Sequence, residues 1–148
     1  MRDRQRPAPD PAEILTVLAV GNVKTEIEEL RQIFRRSNWV MLEAGDTQEA
    51  ISLLRKVPIG VVVCHGQHNH CGWKELLQEL SYLPKPPHLV VSSKDADDSL
   101  WAEVLNLGGY DVLVRPYDPR EVVRVLSLAW LNWKNATAPR AFAAAASA

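Results

Sequence analysis

Five short apolar runs alternate with five helical patterns along this chain, and the connections between them are brief. The runs occupy residues 14–20, 39–43, 59–63, 89–91 and 111–114. The clearest of them are rich in β-branched residues and too short for helices, so they read as strands buried on both faces. The intervening segments carry apolar residues at helical spacing. Ile27, Leu30, Ile33 and Phe34 share one face, as do Leu76, Leu77, Leu80 and Leu83 in a helix predicted over 73–83. Thr25 and Glu28 have the spacing of a capping box. Ala50, Ile51, Leu53 and Leu54 mark a second helix, a fourth spans about 96–107, and a fifth starts at Pro119 and runs to about Trp133. Strand–helix alternation with short links predicts a three-layer αβα sandwich around a five-stranded parallel sheet. Five such units suggest the flavodoxin-like order 2-1-3-4-5.

In that order the third strand is central, and its carboxyl end is where an open parallel sheet holds its ligands. The polar loop that follows, with the strand end, contains Cys64, His65, His68, His70 and Cys71, which are both cysteines and three of the four histidines. Gly21-Asn22 after the first strand would lie beside Cys64. Ser92 and Arg115 end the fourth and fifth strands and would close the same pocket.

Bulk properties exclude several classes. A net charge of −1 gives no basic excess for nucleic acid and no charge block for a membrane surface. No apolar run is long enough to cross a bilayer, and the charged start has no apolar segment directly behind it, as a secretion signal requires. Two cysteines make no disulfide framework, so a reducing cytoplasm is the expected compartment. Residues 1–12 read as a charged, proline-rich lead-in, 13–133 as the domain, and 134–148 as an alanine-rich tail or linker.

Beyond this pattern lie Glu43-Ala44-Gly45-Asp46 with Glu49-Ala50, and Gly72 before Glu75-Leu76. Val91-Ser92-Ser93, Gly108-Gly109 and Arg115-Pro116-Tyr117 follow. Over roughly residues 13–132 this set resembles the receiver domains of two-component response regulators, the CheY-like family. The resemblance implies a Mg²⁺-binding acidic pair after the first strand and a phosphoacceptor aspartate at the end of the third. It also implies a hydroxyl after the fourth strand and a lysine before proline after the fifth. Those positions fall on Gly21 and Asn22, on Cys64, on Ser92 and on Arg115. Mg²⁺ wants carboxylate oxygens, and glycine, asparagine and cysteine supply none. Without a metal, nothing neutralises the charge developing on a transferred phosphoryl group. The family's aromatic switch position falls on Val112. The expectation is therefore a degenerate receiver without Mg²⁺ or any other cofactor and without enzymatic activity. It would act by protein–protein contact with signalling proteins or an output domain.

Each candidate also has a plainer role. Cys64 suits a small core residue; a reactive thiol would need a cation such as Arg115 beside it, and a Cys64–Cys71 disulfide is a further possibility. Cys64, His68, His70 and Cys71 are ligands suited to Zn²⁺ or copper, which leaves a metal- or redox-responsive sensor as the alternative function, although their spacing matches no standard finger. With a neutral Cys64, Arg115 is expected to turn to solvent, a partner or an anion. Trp101, Val112, Tyr117, Trp130 and Trp133 are candidates for a partner surface, because receivers dimerise or dock through the fourth helix, fifth strand and fifth helix. Core packing is the plainer reading of most of these aromatics.

Overall fold

The computed structural model describes residues 14–21, 24–65, 72–94 and 97–136. Its strands are β1 (Thr16–Val20), β2 (Val40–Ala44), β3 (Val61–His65), β4 (His88–Ser93) and β5 (Asp111–Val114). Its helices are α1 (Lys24–Phe34), α2 (Thr47–Lys56), α3 (Trp73–Leu80), α4 (Asp98–Asn106) and α5 (Pro119–Asn135). All strand pairs are parallel, in the order β2-β1-β3-β4-β5. This is the predicted architecture and the predicted strand order.

Side chains alternate across a strand, so each central strand feeds two cores. Val62 and Cys64 of β3 pack with Leu18, Val20, Val91 and Val112 beneath α2, α3 and α4. Val61 and Val63 pack with Val17, Val90 and Leu113 beneath α1 and α5. Helix α5 closes the second core with Val122, Val125, Leu126, Ala129 and Trp133, a buried stripe at helical spacing. Each fully buried Val or Leu contributes on the order of 1.5–3 kcal/mol. Three helices start on an aspartate whose carboxylate accepts a backbone N–H: Asp46 from Glu49, Asp97 from Leu100 and Asp118 from Arg120. Each cap is typically worth about 1 kcal/mol.

Element boundaries differ from the sequence reading in places. Helix α1 already includes Lys24, so Thr25 stands inside its first turn, and Glu28 pairs with Arg31 at 3.0 Å. Helix α3 stops at Leu80, and a turn from Leu80 O to Leu83 N carries the chain onward. Strand β4 is longer than expected because Ser92 and Ser93 still pair with β5.

Trp133 sits directly on the backbone of Gly60, ahead of β3. A Cβ at Gly60 would stand 2.6 Å from Trp133 Cε3 and 3.1 Å from Trp130 Cδ1. The helix therefore docks only because position 60 lacks a side chain. At the end of α4, Gly108 takes a positive φ of 103° and Gly109 N donates to Val104 O at 2.8 Å, the expected glycine stop.

Candidate functional site

The carboxyl edge of the sheet brings four of the five predicted pocket residues together. Val20 is in register with Cys64, which places Gly21 just beyond that pair. His65 is in register with Ser92, and Arg115 N donates to Ser93 O at 3.0 Å. Asn22 lies outside the described residues.

Arg115 does not turn to solvent. It is buried, and its guanidinium forms an ion pair with Glu26 of α1, whose side chain is 1% exposed. Two opposite charges near each other inside a protein satisfy one another, whereas an exposed Arg115 would have left Glu26 buried alone. Burial pushes the Glu26 carboxyl above its ordinary range, against the opposing pull of Arg115 and Lys94. Arg115 Nε and Nη2 have no hydrogen-bond partner among the described residues. Glu26 was absent from the predicted site. Its neighbours Glu28 and Glu29 are also glutamates, but Glu26 stands four residues before Leu30 and shares the buried face of α1, a helical spacing that was the available signal.

Ser92 Oγ and Tyr117 Oη share a hydrogen bond at 2.5 Å. Tyr117 is half-buried, and burial raises its hydroxyl pKa far above the ordinary value, with the Ser92 bond acting in the opposite sense. The phenol thus stays protonated. Arg115 and Tyr117 flank Pro116, and the Arg115–Pro116 peptide is cis.

Cys64 is buried in the core beneath α2, α3 and α4, whereas Glu26 and Tyr117 belong to the side of the sheet covered by α1 and α5. The sulfur is disulfide-bonded, and its partner lies outside the described residues. Cys64 is therefore neither the free core thiol nor the Arg115-activated thiolate. His68, His70 and Cys71 of the metal alternative lie outside the described residues, as does the side chain of His65. Among the described residues no group of His, Cys, Asp and Glu could hold a metal ion.

Comparison with known proteins places this edge in context. No family model matches the sequence. A response regulator, GtcR of Aneurinibacillus migulanus, is 26% identical over 109 residues, 73% of this chain, and the chain spans 44% of that protein's length. The receiver domain of an HD domain-containing protein from Pseudomonas fluorescens superposes with a TM-score of 0.71 at 20% identity, covering 83% of this chain and 99% of that one. The Francisella response regulator 1452 receiver domain gives 0.69 at 19% identity, covering 80% and 98%. The signal receiver domain of a LuxO-type repressor from Vibrio parahaemolyticus gives 0.70 at 13%, covering 82% and 93%. This is a receiver fold.

The receiver pocket's described donors do not fit Mg²⁺. Gly21 has no side chain, Cys64 offers a disulfide sulfur, and the carboxylate present, Glu26, is held by Arg115.

The partner-surface candidates divide by burial. Val112 is 1% exposed and Trp133 4% exposed, so neither can form a partner surface. Val112 faces the sheet's α4 side, and Trp133 is pressed against Gly60. Trp130 is half-buried beside it, and Tyr117 serves Ser92. Trp101 is exposed. Exposed apolar residues on α4, β5 and α5 that sequence reasoning missed include Leu105, Val114, Val123, Leu128 and Leu131. Helix α4 buries only Val104, which leaves Trp101 and Leu105, one turn apart, facing outward together.

Among the described residues no helix is long and apolar enough to cross a membrane.

Proposed function

We propose that this receiver fold is a degenerate, non-phosphorylated signalling domain of two-component type. It acts in the cytoplasm by contact with signalling proteins or an output domain. The observation that carries this reading is the Glu26–Arg115 pair. A phosphorylatable pocket needs a free cation to receive the phosphoryl oxygens and a carboxylate at the strand end to accept the group. Here the cation is already neutralised by an internal carboxylate, and a sulfur stands where the acceptor carboxylate would be. The domain is thereby held in one state, without Mg²⁺ and without catalysis. Its contact surface is the face formed by α4, β5 and α5, where Trp101, Leu105, Val114 and Val123 stand exposed. A homodimer through that face is the simplest use of it.

The redox branch of the alternative has one observation in its favour, the disulfide at Cys64, because disulfides in cytoplasmic proteins are usually transient or redox-sensing. Incubation with acetyl phosphate and Mg²⁺ followed by intact mass measurement tests the main reading. No mass gain is expected, and one stable phosphoryl adduct per chain would overturn it. Alkylation after exposure to a mild oxidant separates the redox branch: two alkyl groups still added without prior reduction would remove it.

A further inference from the structure

At the opposite end of the sheet from Arg115 lies a cleft of about 1130 Å³. It lies between the carboxyl ends of α3, α4 and α5 and the proline-rich turn before β4. Its walls are mostly apolar, including Leu77, Pro84, Pro87, Leu107 and the ring of Trp133. Pockets of a few hundred to about 1,000 Å³ with apolar walls and a few polar groups are the usual form of small-molecule sites.

The charges around it are one-sided. The described lining holds Lys74 and Lys85 and no acidic residue. Lys74 is neutralised by Glu103 at 2.6 Å. Lys85 forms no ion pair among the described residues. Its Nζ sits 3.6 Å from the centroid of the Trp133 ring, a cation–π contact at the cleft wall. Burial lowers its pKa, as expected of an ammonium drawn partly out of water without a counter-ion. His88 at the cleft base is pushed by burial toward its neutral form and supplies no competing charge.

We infer that this cleft binds a small amphiphilic carboxylate, its apolar body against Leu77, Pro87 and Leu107 and its anionic head at Lys85. An apolar surface with a single uncompensated cation complements a ligand with one anionic group and an apolar tail. A neutral ligand would leave Lys85 without a counter-ion, its ammonium held by the Trp133 ring alone, and a cationic one would be repelled.

Titration calorimetry of the full chain with laurate, kept below its micelle concentration, tests this. One-to-one binding is expected, with dodecyltrimethylammonium binding at least tenfold more weakly. Lys85→Met, which keeps an apolar stem and removes the charge, is expected to weaken laurate binding about tenfold, one charge-assisted contact in size. A photoreactive laurate should label the cleft lining, residues 77–88, Leu107 or Trp133. Absence of saturable binding, equal binding of the cationic amphiphile, unchanged affinity in Lys85→Met, or labelling elsewhere would each overturn the inference. So would tighter binding of a synthetic peptide of residues 137–148, or dissociation of a dimer by laurate, since these would give the cleft to the chain's own segment or to a second copy.

Discussion

Arg115 and Glu26 are each poorly placed alone and tolerable together. Removing one partner leaves a buried, uncompensated charge, a loss of roughly 3–5 kcal/mol, whereas replacing both by apolar residues of similar volume is often neutral or favourable. Arg115→Met is therefore expected to destabilise strongly in urea unfolding, and Glu26→Leu with Arg115→Met to recover most of that loss. Equal losses in the single and double variants would count against the pair. Burial also holds Glu26 protonated to higher pH in the folded chain than in the unfolded one. Between the ordinary carboxylate pKa, about 4.3, and the raised folded value, the native state binds more protons. Stability should then fall as pH rises through that window, and Glu26→Gln should remove that part of the slope in a pH series of urea midpoints. The sequence pointed to Arg115 but not to its partner. A glutamate reads as solvent-facing by residue type, although Glu26 shares the helical face of Leu30 and Phe34; that its partner is Arg115 follows only from the position of the final strand.

At the scale of elements, Gly60 decides how α5 meets the sheet. Gly60→Ala places a methyl group inside contact distance of an indole that is itself packed. Overpacking of this kind typically costs about 1–3 kcal/mol, and thermal unfolding should show the loss with the fold retained. Strand and helix identities were readable because β-branched runs and helical apolar stripes differ in period, and a continuous apolar run such as Val61-Val62-Val63 signals burial on both faces. The burial of Trp133 was not readable with the same certainty. A tryptophan on an amphipathic helix fits core or interface equally well by spacing, and the residue that settles it lies far away in sequence. Boundaries shifted for similar reasons: β4 extends to Ser93 because β5 is there to pair with it.

For the molecule as a whole, the two ends of the sheet and the α4–β5–α5 face are separate surfaces. If that face forms a dimer, Trp101→Asp should shift the protein to monomer in sedimentation velocity without altering its far-ultraviolet circular dichroism; an unchanged sedimentation coefficient would remove the face from the interface. The strand order carries a consequence for synthesis. β1, β2 and β3 are neighbours and emerge first, so three of the five strands can pair while the remainder is still being made. Helix α1 then carries a carboxylate whose cationic partner arrives only after β5 has left the ribosome. Until then Glu26 must remain in water or protonated, and the first half of the domain cannot close around it. The ion pair thus joins the first helix to the end of the last strand, and it can form only in a chain translated through residue 115.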